Sequence, residues 1–81
     1  MAASRDDIDR WIQSAIAAKC EFIISVCDTF DWDDFPVYCK DKNELITTYD
    51  QYDGVNMNKI NEIIQIKDGE VFENLNIRTI L

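Results

Sequence analysis

Four aspartates and four aromatic residues are packed into thirteen positions, VCDTFDWDDFPVY at 26–38. Asp28, Asp31, Asp33 and Asp34 are the densest set of groups that could do chemistry, and Phe30, Trp32 and Phe35 are interleaved with them. Calcium or magnesium would use such carboxylates, because hard cations collect roughly six to eight oxygen ligands on flexible backbone. The D-x-D-x-D-G order of a calcium loop is absent here, however. The alternation of acids with rings also fits a plain hairpin loop, with rings turned inward and carboxylates in water. A third chemistry is recognition: aromatic side chains supply contact area at low entropic cost, and an acidic rim orients a basic partner and speeds its encounter. On that reading Asp28, Phe30, Asp31, Trp32, Asp33, Asp34 and Phe35 form a partner-binding segment, with no cofactor and no metal.

Other chemistries fall away by composition. The chain has no histidine, which removes Ser-His and Cys-His nucleophile pairs, imidazole bases and His-ligated metals together. Gly54 and Gly69 are the only glycines, so there is no glycine-rich phosphate loop. A non-enzymatic protein is expected. Sixteen acidic residues against eight basic ones give a formal charge of −8, a field that repels phosphate backbones and anionic membranes and attracts basic protein surfaces. Direct nucleic-acid binding and membrane association are therefore not expected. No apolar run reaches the roughly 18 residues of a membrane span, and MAASRDDIDRW lacks the regions of a signal peptide, which together predict a cytoplasmic protein. Cys20, Cys27 and Cys39 lack C-x-x-C spacing and read as reduced, buried thiols. Cys27 and Cys39 flank the aspartate stretch and could approach one another across a sheet.

The elements that must position the acidic stretch are legible in outline. At 81 residues, residues 1–81 make one domain, near the lower size limit for a core that stabilises itself. Ser4 with Asp7 is a helix-capping pair, and Ile8, Trp11, Ile12, Ala15 and Ile16 form one apolar stripe behind it. EFIISVC at 21–27 is a continuous apolar run suited to a central strand. PVYCK reads as a second, shorter strand because Pro36 can only start a strand or lie on an edge. The residues between are then a long acidic hairpin loop. Asp41 with Glu44 caps a second helix carrying Leu45, Tyr49 and Tyr52, and Gly54 ends it. Ile60, Ile64 and Ile66 alternate as in a strand, and the tail from 69 to 81 reads as a short helix, with a hairpin at Asp68-Gly69 as the other choice. The order α-β-β-α-β-α predicts an α+β domain whose three-stranded antiparallel or mixed sheet packs against helices.

The stretch IISVCDTFDWDDFPVYC, behind a tryptophan-bearing amphipathic helix, resembles a group of small bacteriophage and prophage proteins sharing V-C-D-T-F-D-x-x-D-[YF]-P-V-Y. The likeness is close over 26–38, looser through DGVNMNKINEI at 53–63, and fades in the tail. It implies phage origin rather than a mechanism. Small acidic phage proteins without catalytic motifs often inhibit host defence by binding, so two partner classes follow. An anti-CRISPR-like inhibitor would oppose a basic nucleic-acid channel of a host defence protein with Asp31, Asp33 and Asp34, anchored by Trp32. A sponge for a nucleotide immune signal would stack bases on Trp11, Tyr38 or Tyr49 in an oligomer, with Arg5, Arg10, Lys40, Lys42 and Arg78 as counter-charges. A structural phage accessory domain, its loop holding a divalent ion or nothing, is the third reading. A homodimer or higher oligomer is compatible with each.

Overall fold

Ser4 opens the first helix as expected. Its hydroxyl accepts from the Asp7 backbone N–H at 3.2 Å while the Asp7 carboxylate accepts from the Ser4 N–H at 3.1 Å, a reciprocal cap on α1, Arg5–Ala17. The computed structural model describes residues 4–55 and 57–80. Asn56, in the stretch whose likeness to the phage group is looser, and Leu81, at the end of the tail, lie outside the described residues.

Four strands follow: β1 Phe22–Asp28, β2 Asp33–Cys39, β3 Asn58–Lys67 and β4 Glu70–Leu75, with α2 Lys42–Tyr52 between β2 and β3 and a short α3 Ile77–Ile80 at the end. All pairs are antiparallel in the order β2-β1-β3-β4. The α+β class stands, but the sheet has four strands rather than three. The tail is the reason. Asp68 and Gly69 both take left-handed backbone, φ 52° and 79°, so a two-residue turn returns the chain and pairs Lys67 with Glu70, Ile66 with Val71 and Gln65 with Phe72. Glycine carries no Cβ penalty there, and backbone pairing along the open edge of β3 outweighs the weak helical stripe of residues 71–75. Only Ile77–Ile80 is helical in this segment, capped by the Asn76 carboxamide accepting from the Thr79 N–H at 2.9 Å.

β1 lies between β2 and β3, and residues Phe22 to Cys27 are all buried because both faces of the sheet are covered. Phe22, Ile24 and Val26 meet Cys39, Leu45 and Ile63 on the face covered by α2 and α3. Ile23 and Ile64 meet Ile12, Ala15 and Cys20 under α1. Ile60 departs from the simple alternation. Ser25 pairs with Glu62 but Val26 pairs with Ile60, which leaves Asn61 as the extra residue of a bulge. The bulge reverses the inside-outside phase, so Ile60 joins the α2 face while Ile64 and Ile66 stay under α1.

Two more expectations are corrected by the register. β2 begins at Asp33, not Pro36, because the ladder continues through Cys27 with Asp34 and Asp28 with Asp33. Pro36 then sits inside an edge strand, where a missing N–H is tolerated. Cys27 and Cys39 stand at opposite ends of this hairpin, opposite Asp34 and Phe22, five residues apart along the register or roughly 17 Å at the rise of a strand. No bridge between them is feasible. All three thiols are buried and unpaired, and burial pushes Cys39 up to about 11.

Leu45 is the fully buried residue by which α2 holds the sheet, so Leu45→Ala should lower unfolding free energy by about 2–5 kcal/mol in urea titrations. The Ser4 N–H, then its hydroxyl, then Arg10 hold the Asp7 carboxyl below its ordinary value of 3.8. A lowered carboxyl stabilises the fold above its unfolded value and stops doing so as pH falls through its folded one. Chemical denaturation from pH 6 to about pH 2 should therefore show a loss of stability below pH 3.8 that is smaller in Asp7→Asn.

Candidate functional site

The acidic stretch is tighter than its sequence suggests. Because Asp33 and Asp34 belong to β2, only Thr29 to Trp32 turn the chain. Three bonds set the turn. The Asp28 carboxylate accepts from the Phe30 N–H at 2.9 Å, the Asp28 carbonyl accepts from the Trp32 N–H at 2.6 Å, and the Met57 carbonyl accepts from the Thr29 N–H at 2.8 Å. The Thr29 hydroxyl donates to the same Met57 carbonyl. That last pair joins the turn to the segment leading from α2 into β3.

The segregation of the seven candidate residues follows from this geometry. Phe30 and Trp32 project into solvent at 72% and 64% exposure, contrary to a loop with its rings turned inward. Phe35, three positions further on, lies in the strand and turns to the α2 face, where its ring meets Tyr52 edge-on at 6.0 Å and 65°. Strand alternation sends Asp33 and Asp34 to opposite faces. The Asp34 carboxylate accepts from the Asn61 carboxamide at 3.1 Å, and Asn61 also reaches the Ser25 hydroxyl at 3.5 Å. The bulge residue thus ties β2, β1 and β3 together beneath the turn. Asp28 is spent on the turn itself, and Asp31, between the two exposed rings, is itself exposed. Among the described residues no group of three or more Asp, Glu, Cys or His is placed to hold a metal ion.

Two residues outside the expected segment join the surface. Met57 is 58% exposed, and Val55 is exposed beside it in the chain's approach to β3. Their neighbourhood arises only through the Thr29 to Met57 bonds, a contact 28 residues apart in sequence. Trp32 and Met57 share a second feature: both have left-handed backbone, with φ 57° and 65°. A bulky side chain there costs about 1–2 kcal/mol relative to ordinary backbone, which is why glycine or asparagine usually occupies such turns. Large apolar side chains that are both exposed and held in unfavourable backbone contribute nothing evident to the fold. Such strain concentrates at binding and catalytic sites. The result is an apolar tip of Phe30 and Trp32, with Asp31 between them in the chain, joined through the Thr29–Met57 bonds to the segment that carries the exposed Val55 and Met57.

Substitutions separate the two roles. Phe35→Ala should destabilise by about 1.5–3 kcal/mol, whereas Phe30→Ala should stay within about 0.5 kcal/mol of the parent. Trp32→Gly should raise stability by about 1 kcal/mol by relieving the left-handed backbone. Urea unfolding followed by far-ultraviolet circular dichroism measures all three, and a strongly destabilised Trp32→Gly would assign that ring a structural role.

No protein-family model, no curated protein and no solved structure matches this chain, and its functional reading rests on the geometry of its own residues.

Proposed function

We propose that this chain is a non-enzymatic binding protein of phage type that inhibits a host antiviral defence component in the host cytoplasm. The reading is carried by Trp32, which is exposed at 64% although its backbone is held in a conformation that penalises bulky residues. Retaining an indole there makes physical sense if the ring is buried in a complex, where tryptophan is a preferred anchor at the centre of an interface. Phe30 and Met57 extend the anchor, and the neighbouring aspartates select what surrounds it.

The partner that fits is a protein with a basic surface. A net charge of −8 on 81 residues makes a field that steers such a partner and resists anionic ones. Duplex DNA presents one negative charge per roughly 1.7 Å of axis. Ordered carboxylates at one end of a compact domain can occupy a channel shaped for that polymer, with Asp31 and Asp33 opposite lysine or arginine and Trp32 seated between them. Inhibition then follows from occupancy and needs no reaction.

The test is affinity purification of the tagged protein from lysate of defence-competent bacteria, read by native mass spectrometry. The expected result is a basic nucleic-acid-handling protein that is retained at low salt, released by about 0.5 M salt and lost when Asp31→Asn, Trp32→Ala and Asp33→Asn are combined. Added nucleic acid should compete with the complex. A nucleotide-sized mass on an oligomer, with no protein partner, would replace inhibition with signal sequestration.

A further inference from the structure

Three of the eight cations of this acidic chain converge at one place. Arg5 is engaged by Asp9 and Glu73, and Arg10 by Asp7. Lys19, Lys40 and Lys67 instead meet at the far end of the sheet from the Trp32 turn. There α1 gives way to β1, β2 has just ended at Cys39, and β3 ends at Lys67. The three lysines line a cleft of about 430 Å³ whose apolar wall includes Ile16 and Ile66. Among the described residues none of the three is in a salt bridge. Ile16 is left 47% exposed, although it belongs to the apolar stripe of α1. Of the two acids on the cleft wall, Glu21 and Asp68, Glu21 is drawn to the Gln65 carboxamide at 2.8 Å.

We propose that this cleft receives the Phe30–Trp32 turn of a second copy, so that copies associate head to tail. The two surfaces complement one another in charge and in character. The turn offers Trp32 and Phe30 beside Asp31 and Asp33, and the cleft offers Ile16 and Ile66 among three lysines and two acids, an excess of one positive charge. They cannot meet within one molecule, because the ten residues of β3 separate the ends of the sheet by roughly 30 Å. The cleft is shallow and open to solvent, and its volume of about 430 Å³ leaves room for an aromatic side chain.

A two-fold contact between two turns is the competing geometry, and it sets Asp31 and Asp33 of both copies against each other. Like charges so placed oppose association. The head-to-tail contact sets those aspartates against three lysines as well as Glu21 and Asp68, a net attraction, and is heterologous, leaving a free turn at one end and a free cleft at the other. Two rings bring about 150–250 Å² each, so the interface sits at the small end, below roughly 1,200 Å² in total. Association is accordingly weak, reversible and screened by salt. It shelters the apolar tip in concentrated protein and releases it on dilution or to a more basic partner.

Complementation tests the geometry. Trp32→Ala lacks the turn's anchor but keeps the cleft, while Lys40→Glu with Lys67→Glu keeps the turn but reverses the cleft. In sedimentation velocity at low salt, the wild-type protein should gain average mass with concentration and lose it when salt is added. Each variant alone should remain monomeric, and an equimolar mixture should form a one-to-one complex, because one intact turn meets one intact cleft. Circular dichroism of each variant should match the wild type, since all three positions are exposed. Wild-type protein that stays monomeric at about 1 mM, where a contact of this size should be populated, would overturn the proposal. So would a cleft variant that dimerises alone, the mark of turn-to-turn contact, or a mixture that forms no complex. The cleft variant retains the tip, so it should still capture a basic host partner, and loss of self-association is thereby distinguished from loss of the inhibitory surface.

Discussion

The structure depends on one constraint, the burial of β1 on both faces while it pairs on both edges. From Phe22 to Cys27 every side chain is buried, and β2 and β3 take up its backbone groups on either side. A strand so placed must have an apolar layer above and another below, which α1 supplies on one face and α2 with α3 on the other. In a chain this short, two thin cores sharing one strand are how enough apolar area leaves water to offset the entropy of ordering. Ser25 is the one buried polar side chain of that strand, and the Asn61 carboxamide reaches its hydroxyl.

The tip is a consequence of that arrangement. β1 and β2 must exchange direction at the end of the sheet where α2 also returns to β3, so the Thr29–Trp32 turn and the Met57 segment are brought together and joined through one carbonyl. Among the described residues, no layer covers the apolar side chains of either loop. Phe35, only three residues from Trp32, has the opposite fate because it lies in the ladder on the α2 face. The division between core and candidate surface within this short stretch is therefore set by where the strand begins. Trp32 and Met57 also carry left-handed backbone, which has a local cost for a bulky residue.

Charge is organised along the same axis. Asp28, Asp31, Asp33 and Asp34 lie at the turn end, with Lys59 opposite Cys27 nearby, while Lys19, Lys40 and Lys67 line the cleft at the other end together with Glu21 and Asp68. The sheet acts as a rigid spacer between the two, and this separation lets one small domain present two unlike surfaces. A nearly continuous acidic sequence does not reveal this, because Lys19, Lys40 and Lys67 are scattered over 49 residues and converge only when three antiparallel strands place their ends together.

By itself the sequence determined what local physics decides. The Ser4 and Asp41 caps, the apolar stripe of α1, the burial of β1, the closing role of Gly54 and the absence of histidine chemistry all follow from residues a few positions apart. What depended on distant partners was decided by the tertiary structure. The fourth strand exists because β3 offers an edge to residues 70–75, and the phase of Ile60 changed because a single extra residue, Asn61, bulges against β1. Rings that looked alike in sequence parted according to whether the ladder reached them. Periodicity reports a preference for one face, whereas register and layer contact determine which face is covered, and those are set by the chain as a whole.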